Sequence, residues 1–159
     1  MQAKWMVCSA LVAGYWLTSA AVAATVAVAP HSTPIDQFHH WPDSELAAMI
    51  ERNGKTFLSD HEFFFIQELN RSKSGEVEQH NLWNDYLVIQ QGTAMLTYGG
   101  KAIGTTAQGM GESRGGKIEG GKMIALHPGD VVVIPAGMPH LFTLEAGKSL
   151  RYLVFKARQ

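Results

Sequence analysis

The sequence is nearly devoid of cysteine. Cys8 is the only one in 159 residues, and it falls within an apolar N-terminal run. Beyond that run the chain has no thiol, which excludes disulfides, thiolate metal ligands and a cysteine nucleophile. An excess of charge of either sign is lacking too: 13 Lys and Arg stand against 14 Asp and Glu, a formal net charge of -1. No basic cluster or stripe occurs, so the footprint of a nucleic-acid binder is missing, and so is a patch for an anionic membrane. No Gly-Lys-Ser/Thr follows any glycine run, which excludes a P-loop. The length suits one domain, large enough to be held together by its core without disulfides.

What is present divides into three parts. Residues 1–23 read as a signal peptide: Lys4 supplies the positive n-region, and Met6 to Val28 is almost wholly apolar or small. Ala21-Val22-Ala23 offers small residues at the cleavage positions, with Ala24 as the mature start. Export to the periplasm or the medium is expected, with no membrane association after cleavage. An uncleaved anchor is the alternative, since the run approaches the length that spans a bilayer. Residues 24–59 read as an arm and a short helix. Pro42-Asp43-Ser44-Glu45 opens the helix, Asp43 or Ser44 caps it, Leu46, Met49 and Ile50 give it an apolar face, and Asn53-Gly54 closes it.

From residue 60 to 158 the pattern is that of short strands. Phe63 to Leu69, Tyr86 to Gln90, Ala94 to Tyr98, Met123 to Leu126, Val131 to Ile134, Leu141 to Leu144 and Leu150 to Phe155 are apolar or β-branched runs broken by Gly and Pro turns. Such spacing predicts an all-β sandwich or barrel. Between Gly99 and Gly121 lie nine glycines and scarcely an apolar side chain. This stretch reads as a long glycine-rich loop, 99–121, acting as a flap at one barrel end or as an inert excursion. Phe63, Phe64 and Phe65 cannot all face one side of a sheet, so one of them needs cover from the helix or from a second subunit.

The most informative stretch is Gly129-Asp130-Val131-Val132-Val133-Ile134-Pro135-Ala136-Gly137-Met138-Pro139-His140. It reads as turn, buried strand and tight turn, with His140 opening the next strand beside a rigid corner. The spacing of Gly129, Pro135, Gly137 and His140 resembles the second sequence motif of the cupin superfamily, with Leu144 where an Asn is usual. The first motif is matched in part. Anchored on Gly92, it puts Asp85 at the glutamate position, His80 at the second histidine and Glu78 at the first, with Gly75 near the leading glycine.

The resemblance implies an all-β, single-domain cupin β-barrel, a double-stranded β-helix or jelly roll, preceded by the short helix. It implies a mononuclear metal site from His80, His140, Asp85 and Glu78, and a homodimer. Glu78 and His80, two apart on a strand, leave the same face. Nitrogen and oxygen donors of this kind suit a divalent transition metal, Mn, Fe, Zn or Ni. Trp83, Tyr86, Phe142 and Tyr152 are the aromatic candidates for an apolar pocket beside it. The expected function is an exported protein whose metal site binds a small molecule. The alternative is a sensor or carrier barrel that binds its ligand without metal or catalysis.

Overall fold

The computed structural model describes residues 38–159. The signal peptide 1–23 and its cleavage position lie outside the described residues, as does most of the arm.

Helix α1 spans Asp43–Asn53. Asp43 and Glu45 in its first turn and Arg52 in its last match the helix dipole. Gly54 takes the left-handed conformation that ends it, its N–H bonding the Ile50 carbonyl at 2.6 Å. The expected side-chain cap is not made. Pro42 occupies the N-cap without one, because Asp43 is turned to Arg151, 2.8 Å away. That arginine also holds Glu68 at 2.7 Å, and Glu68 is fully buried. An ion pair therefore pins the helix to the outside of the barrel, with Ile50 and Leu58 buried nearby.

Thirteen strands follow: β1 Lys55–Asp60, β2 Phe64–Arg71, β3 Glu78–His80, β4 Trp83–Gly92, β5 Ala94–Tyr98, β6 Lys101–Ile103, β7 Thr106–Gly109, β8 Glu112–Arg114, β9 Lys117–Glu119, β10 Lys122–Leu126, β11 Val131–Ile134, β12 His140–Thr143 and β13 Leu150–Arg158. One sheet has the order β1-β2-β13-β4-β11, a second β10-β5-β12-β3-β8-β7, and β6 pairs with β9 alone. The chain passes between the two large sheets at β4 to β5 and again along β10, β11, β12 and β13. This is the all-β barrel expected from the strand spacing, with the jelly-roll arrangement that the resemblance implies.

Period-two alternation fills the barrel. Along β4, Asp85, Leu87 and Ile89 are buried while Tyr86 and Val88 are exposed. Leu87 and Ile89 meet Leu96, Leu126, Ile134, Phe142, Leu150, Tyr152 and Val154 in one core. Gly92 closes β4 with φ 77°, where a Cβ would lie 1.9 Å from the Ser149 carbonyl oxygen. Only glycine fits that crossing, opposite the irregularity at Arg151 and Tyr152 in the β4–β13 ladder. On the outer face of the first sheet, Val131 is paired with Val88 and Val133 with Tyr86. These four leave a contiguous exposed apolar patch on the edge strand and its neighbour, with Val131 70% and Val133 53% exposed.

Two stretches depart from the sequence reading. β1 falls in the region expected as arm and helix. The glycine-rich segment is not an irregular loop: its 99–121 stretch contains β6, β7, β8 and β9. Eight of its nine glycines have positive φ and serve as turn corners. The segment contributes little to the core, so hydrophobic periodicity could not reveal it. It is held by hydrogen-bonded ladders, and β8 pairs directly with β3.

Candidate metal centre

β3 is short and central to the site. Glu78 and His80 are buried on one face of it, as their spacing predicts. His140 opens β12, and its backbone pairs with Glu78. The Pro135-Ala136-Gly137 turn is fastened to the same place, since the Gly137 N–H bonds the His80 carbonyl at 2.8 Å. Each of Glu78, His80 and His140 offers one ligand atom within 4.8 Å of the others, and all three are buried. The two imidazole centroids lie 5.1 Å apart.

Both histidines have one nitrogen committed and one turned inward. His140 Nδ1 donates to the Met138 carbonyl at 3.1 Å, which leaves Nε2 with its lone pair. Burial lowers the His140 pKa below the ordinary 6.5, only partly offset by that backbone bond, so the ring is neutral. His80 Nδ1 lies 2.5 Å from the Glu112 carboxylate. Its Nε2 is buried without a hydrogen-bond partner, 3.5 Å from Glu78 Oε2 and 3.6 Å from Asp85 Oδ2. A histidine held by a carboxylate behind it, presenting an unpartnered nitrogen to two carboxylates and a second imidazole, has the disposition of a metal ligand.

Glu78 is an anion in this setting. Burial alone would raise its pKa, but the His80 ring, 3.5 Å away, and the charges of Arg71 and Arg114 outweigh it and hold the carboxyl well below the usual range. Arg71 Nη2 lies 2.9 Å and Arg114 Nη1 3.2 Å from Glu78 Oε1, so Oε2 is the oxygen that faces His80. Asp85 departs from expectation. It stands beside the group of three and not within it, because Lys156 Nζ holds Oδ2 at 3.0 Å. Its Oδ1 is buried and unpartnered.

A cavity of about 340 Å³ opens beside these groups, lined among others by Gln67, Arg71, Glu78, Asp85, Arg114 and His140. Of the four aromatic candidates, Phe142 and Tyr152 line it and are stacked 5.5 Å apart. Arg71 lies over the Phe142 ring at 5.0 Å and donates from Nε to the Tyr152 hydroxyl at 2.8 Å. Burial pushes the Tyr152 phenol up, partly offset by Arg71, so it keeps its proton. Trp83 is packed edge-on against Phe65 at 5.1 Å and does not line the cavity. Tyr86 points outward, 41% exposed. Its place next to inward-facing Asp85 in one strand forces this.

The sequence reading missed Arg71, Glu112, Arg114 and Lys156. The one available signal was the alternation Glu112-Ser113-Arg114 between glycine turns. It matches the alternation of Glu78-Gln79-His80, to which it pairs residue by residue.

No family model matches the sequence, and no curated protein does. Solved structures are similar in fold. A protein from Bacillus halodurans is 12% identical with a TM-score of 0.55, over 80% of this chain and 86% of that one. The cupin domain of Schizosaccharomyces pombe Cnp3 is 12% identical with a TM-score of 0.49, over 66% and 60%. A cupin superfamily protein from Desulfitobacterium hafniense is 18% identical with a TM-score of 0.46, over 66% and 76%.

Proposed function

Because the chain has the all-β barrel of the cupin superfamily, we propose that Glu78, His80 and His140 hold one divalent transition metal at which a small molecule is bound. The observation that carries this reading is the His80 Nε2 atom, buried, without a hydrogen-bond partner and facing Glu78. A buried polar atom left unpaired costs about 1–3 kcal/mol, and a cation removes that cost here. The donor set fits: two imidazoles and a carboxylate suit Mn, Fe, Ni or Zn and are unsuited to soft ions. Three protein ligands leave coordination positions for a small molecule. The metal supplies Lewis acidity or, with iron, redox capacity.

The chain's own residues complete the arrangement. Glu112 and the Met138 carbonyl fix the two imidazole tautomers. Arg71 and Arg114 keep Glu78 ionised and engage its outer oxygen. The stacked Phe142 and Tyr152 wall excludes water from one side. Asp85, restrained by Lys156, stands next to the metal position as a carboxylate able to accept a proton from a bound molecule. Export follows from the N-terminal segment in this reading, and N-terminal sequencing of the mature protein tests it by the appearance of Ala24. Elemental analysis of protein purified without chelators tests the metal: one ion per chain supports the reading. No ion, together with no thermal stabilisation by added Mn, Fe(II), Ni or Zn, refutes it.

A further inference from the structure

The charge of the cavity is at odds with that of the chain. The whole sequence carries -1, yet four cations, Lys55, Arg71, Arg114 and Lys156, line the cavity against two carboxylates, Glu78 and Asp85. His140 contributes no charge while neutral. A divalent metal would add to the excess. Three of the cations are engaged: Arg71 and Arg114 with Glu78, and Lys156 with Asp85. Lys55 is not. Among the described residues no carboxylate pairs with it, although it opens β1 at the cavity wall and is exposed to solvent.

The uncommitted donors of the wall point the same way, although Asp85 Oδ1 is an unpartnered acceptor beside them. The Tyr152 oxygen accepts the Arg71 Nε–H, so its own proton is left to donate. The Gln67 side chain lines the cavity, with no partner among the described residues. Both acids in the wall are already held by cations, whereas Lys55, the Tyr152 O–H and the Gln67 amide have no acceptor. A cationic ligand would leave them unanswered, and a neutral one would accept their hydrogen bonds without balancing the charge of Lys55. An anion satisfies them and gains from the positive wall.

We propose that the small molecule taken by this cavity is an organic carboxylate, with Lys55 at the wall selecting for its charge and the Tyr152 hydroxyl and Gln67 amide orienting it. The proposal rests on the reading of this cavity as the site of the metal, but its charge argument holds for the metal-free chain as well. The size agrees, since a cavity of about 340 Å³ is at the small end for ligand sites.

The experiment is titration calorimetry of the full chain with succinate and with its uncharged diamide, succinamide, at low and high salt, with metal content measured on the same samples. Succinate is expected to bind about tenfold or more tightly than succinamide, and salt should narrow the gap. Lys55→Gln should weaken succinate by about two- to fivefold, the range for a solvent-exposed charge pair, with metal content unchanged. Equal binding of the two probes, or binding of neither, overturns the proposal. The two readings fail separately. A metal-free chain that still prefers succinate keeps the anion and loses the metal, and a metal-loaded chain without preference does the reverse.

Discussion

Glu112 belongs to the glycine-rich segment and does not line the cavity beside the site, yet removing it should weaken metal binding. Its carboxylate takes the His80 Nδ1 proton at 2.5 Å, and His80 is buried while the Glu112 side chain is 26% exposed. Glu112→Ala leaves the ring free to adopt the other tautomer, in which Nε2 carries the proton and has no lone pair for a metal. Loss of such a supporting carboxylate costs about 10–100-fold in metal affinity, or about 1.4–2.8 kcal/mol. Glu112→Gln keeps an acceptor for the Nδ1 proton without the charge, so it should recover part of the loss. The assay is competition for zinc against a chromophoric chelator, run beside thermal unfolding of the metal-free proteins. Because Glu112 lies on a half-exposed strand outside the core, the metal-free variants should unfold within about 1 kcal/mol of the parent. If Glu112→Ala binds zinc as tightly as the parent, the tautomer argument is wrong. If Glu112→Gln is no better than alanine, the hydrogen bond is not what matters.

Other outcomes follow from the same geometry. Glu68→Ala leaves the buried Arg151 guanidinium only the exposed Asp43 as partner and should destabilise the fold by up to about 3–5 kcal/mol in denaturant titration, whereas replacing both residues with apolar ones should cost far less. Stability of the metal-free protein should be level above pH 6.5 and fall below it. His140 is held below its ordinary 6.5, so the unfolded chain takes up that proton first. The loss should steepen below about pH 4.5, where the unfolded chain protonates Glu78 before the folded one does. Thermal unfolding across pH 4 to 8 reads both; stability rising toward acid would contradict the burial of His140 and the pairing of Glu78 with Arg71 and Arg114. The homodimer expected from the sequence is proposed to form across the exposed patch of Tyr86, Val88, Val131 and Val133 on the edge of the first sheet. Light scattering should then show a dimer that Val133→Glu converts to monomer, and a monomeric parent would refute it.

Much of the barrel could be read from the sequence because it is written in burial. Ala94 to Tyr98 and Val131 to Ile134 are strands over the expected residues; Ala94, Leu96 and Ile134 enter the core, while Val131 and Val133, expected to be buried, lie on the surface. His140 was legible for a different reason: Pro135 and Gly137 dictate a corner, and a corner fixes where the next side chain points. The glycine-rich segment escaped because its strands are exposed, so their stability comes from ladders and turns that leave no hydrophobic period. With it went Glu112 and Arg114, which reach the site only through the pairing of β8 with β3. Tyr86 was misplaced for a reason the sequence did contain. Asp85 and Tyr86 are neighbours in one strand, and a pocket role for one excludes it for the other. Asp85 itself was placed by motif position, but the long-range partner that draws it toward β13, Lys156, has no local signature.

The central claim is that the unpaired His80 nitrogen and its neighbours Glu78 and His140 bind a metal ion. The most direct test is the metal content of the purified chain beside that of His80→Ala and His140→Ala. One transition-metal ion per chain, lost in both variants while the barrel still folds, is the predicted result. A parent free of metal that no added Mn, Fe(II), Ni or Zn stabilises, or variants that retain the ion in full, would contradict it.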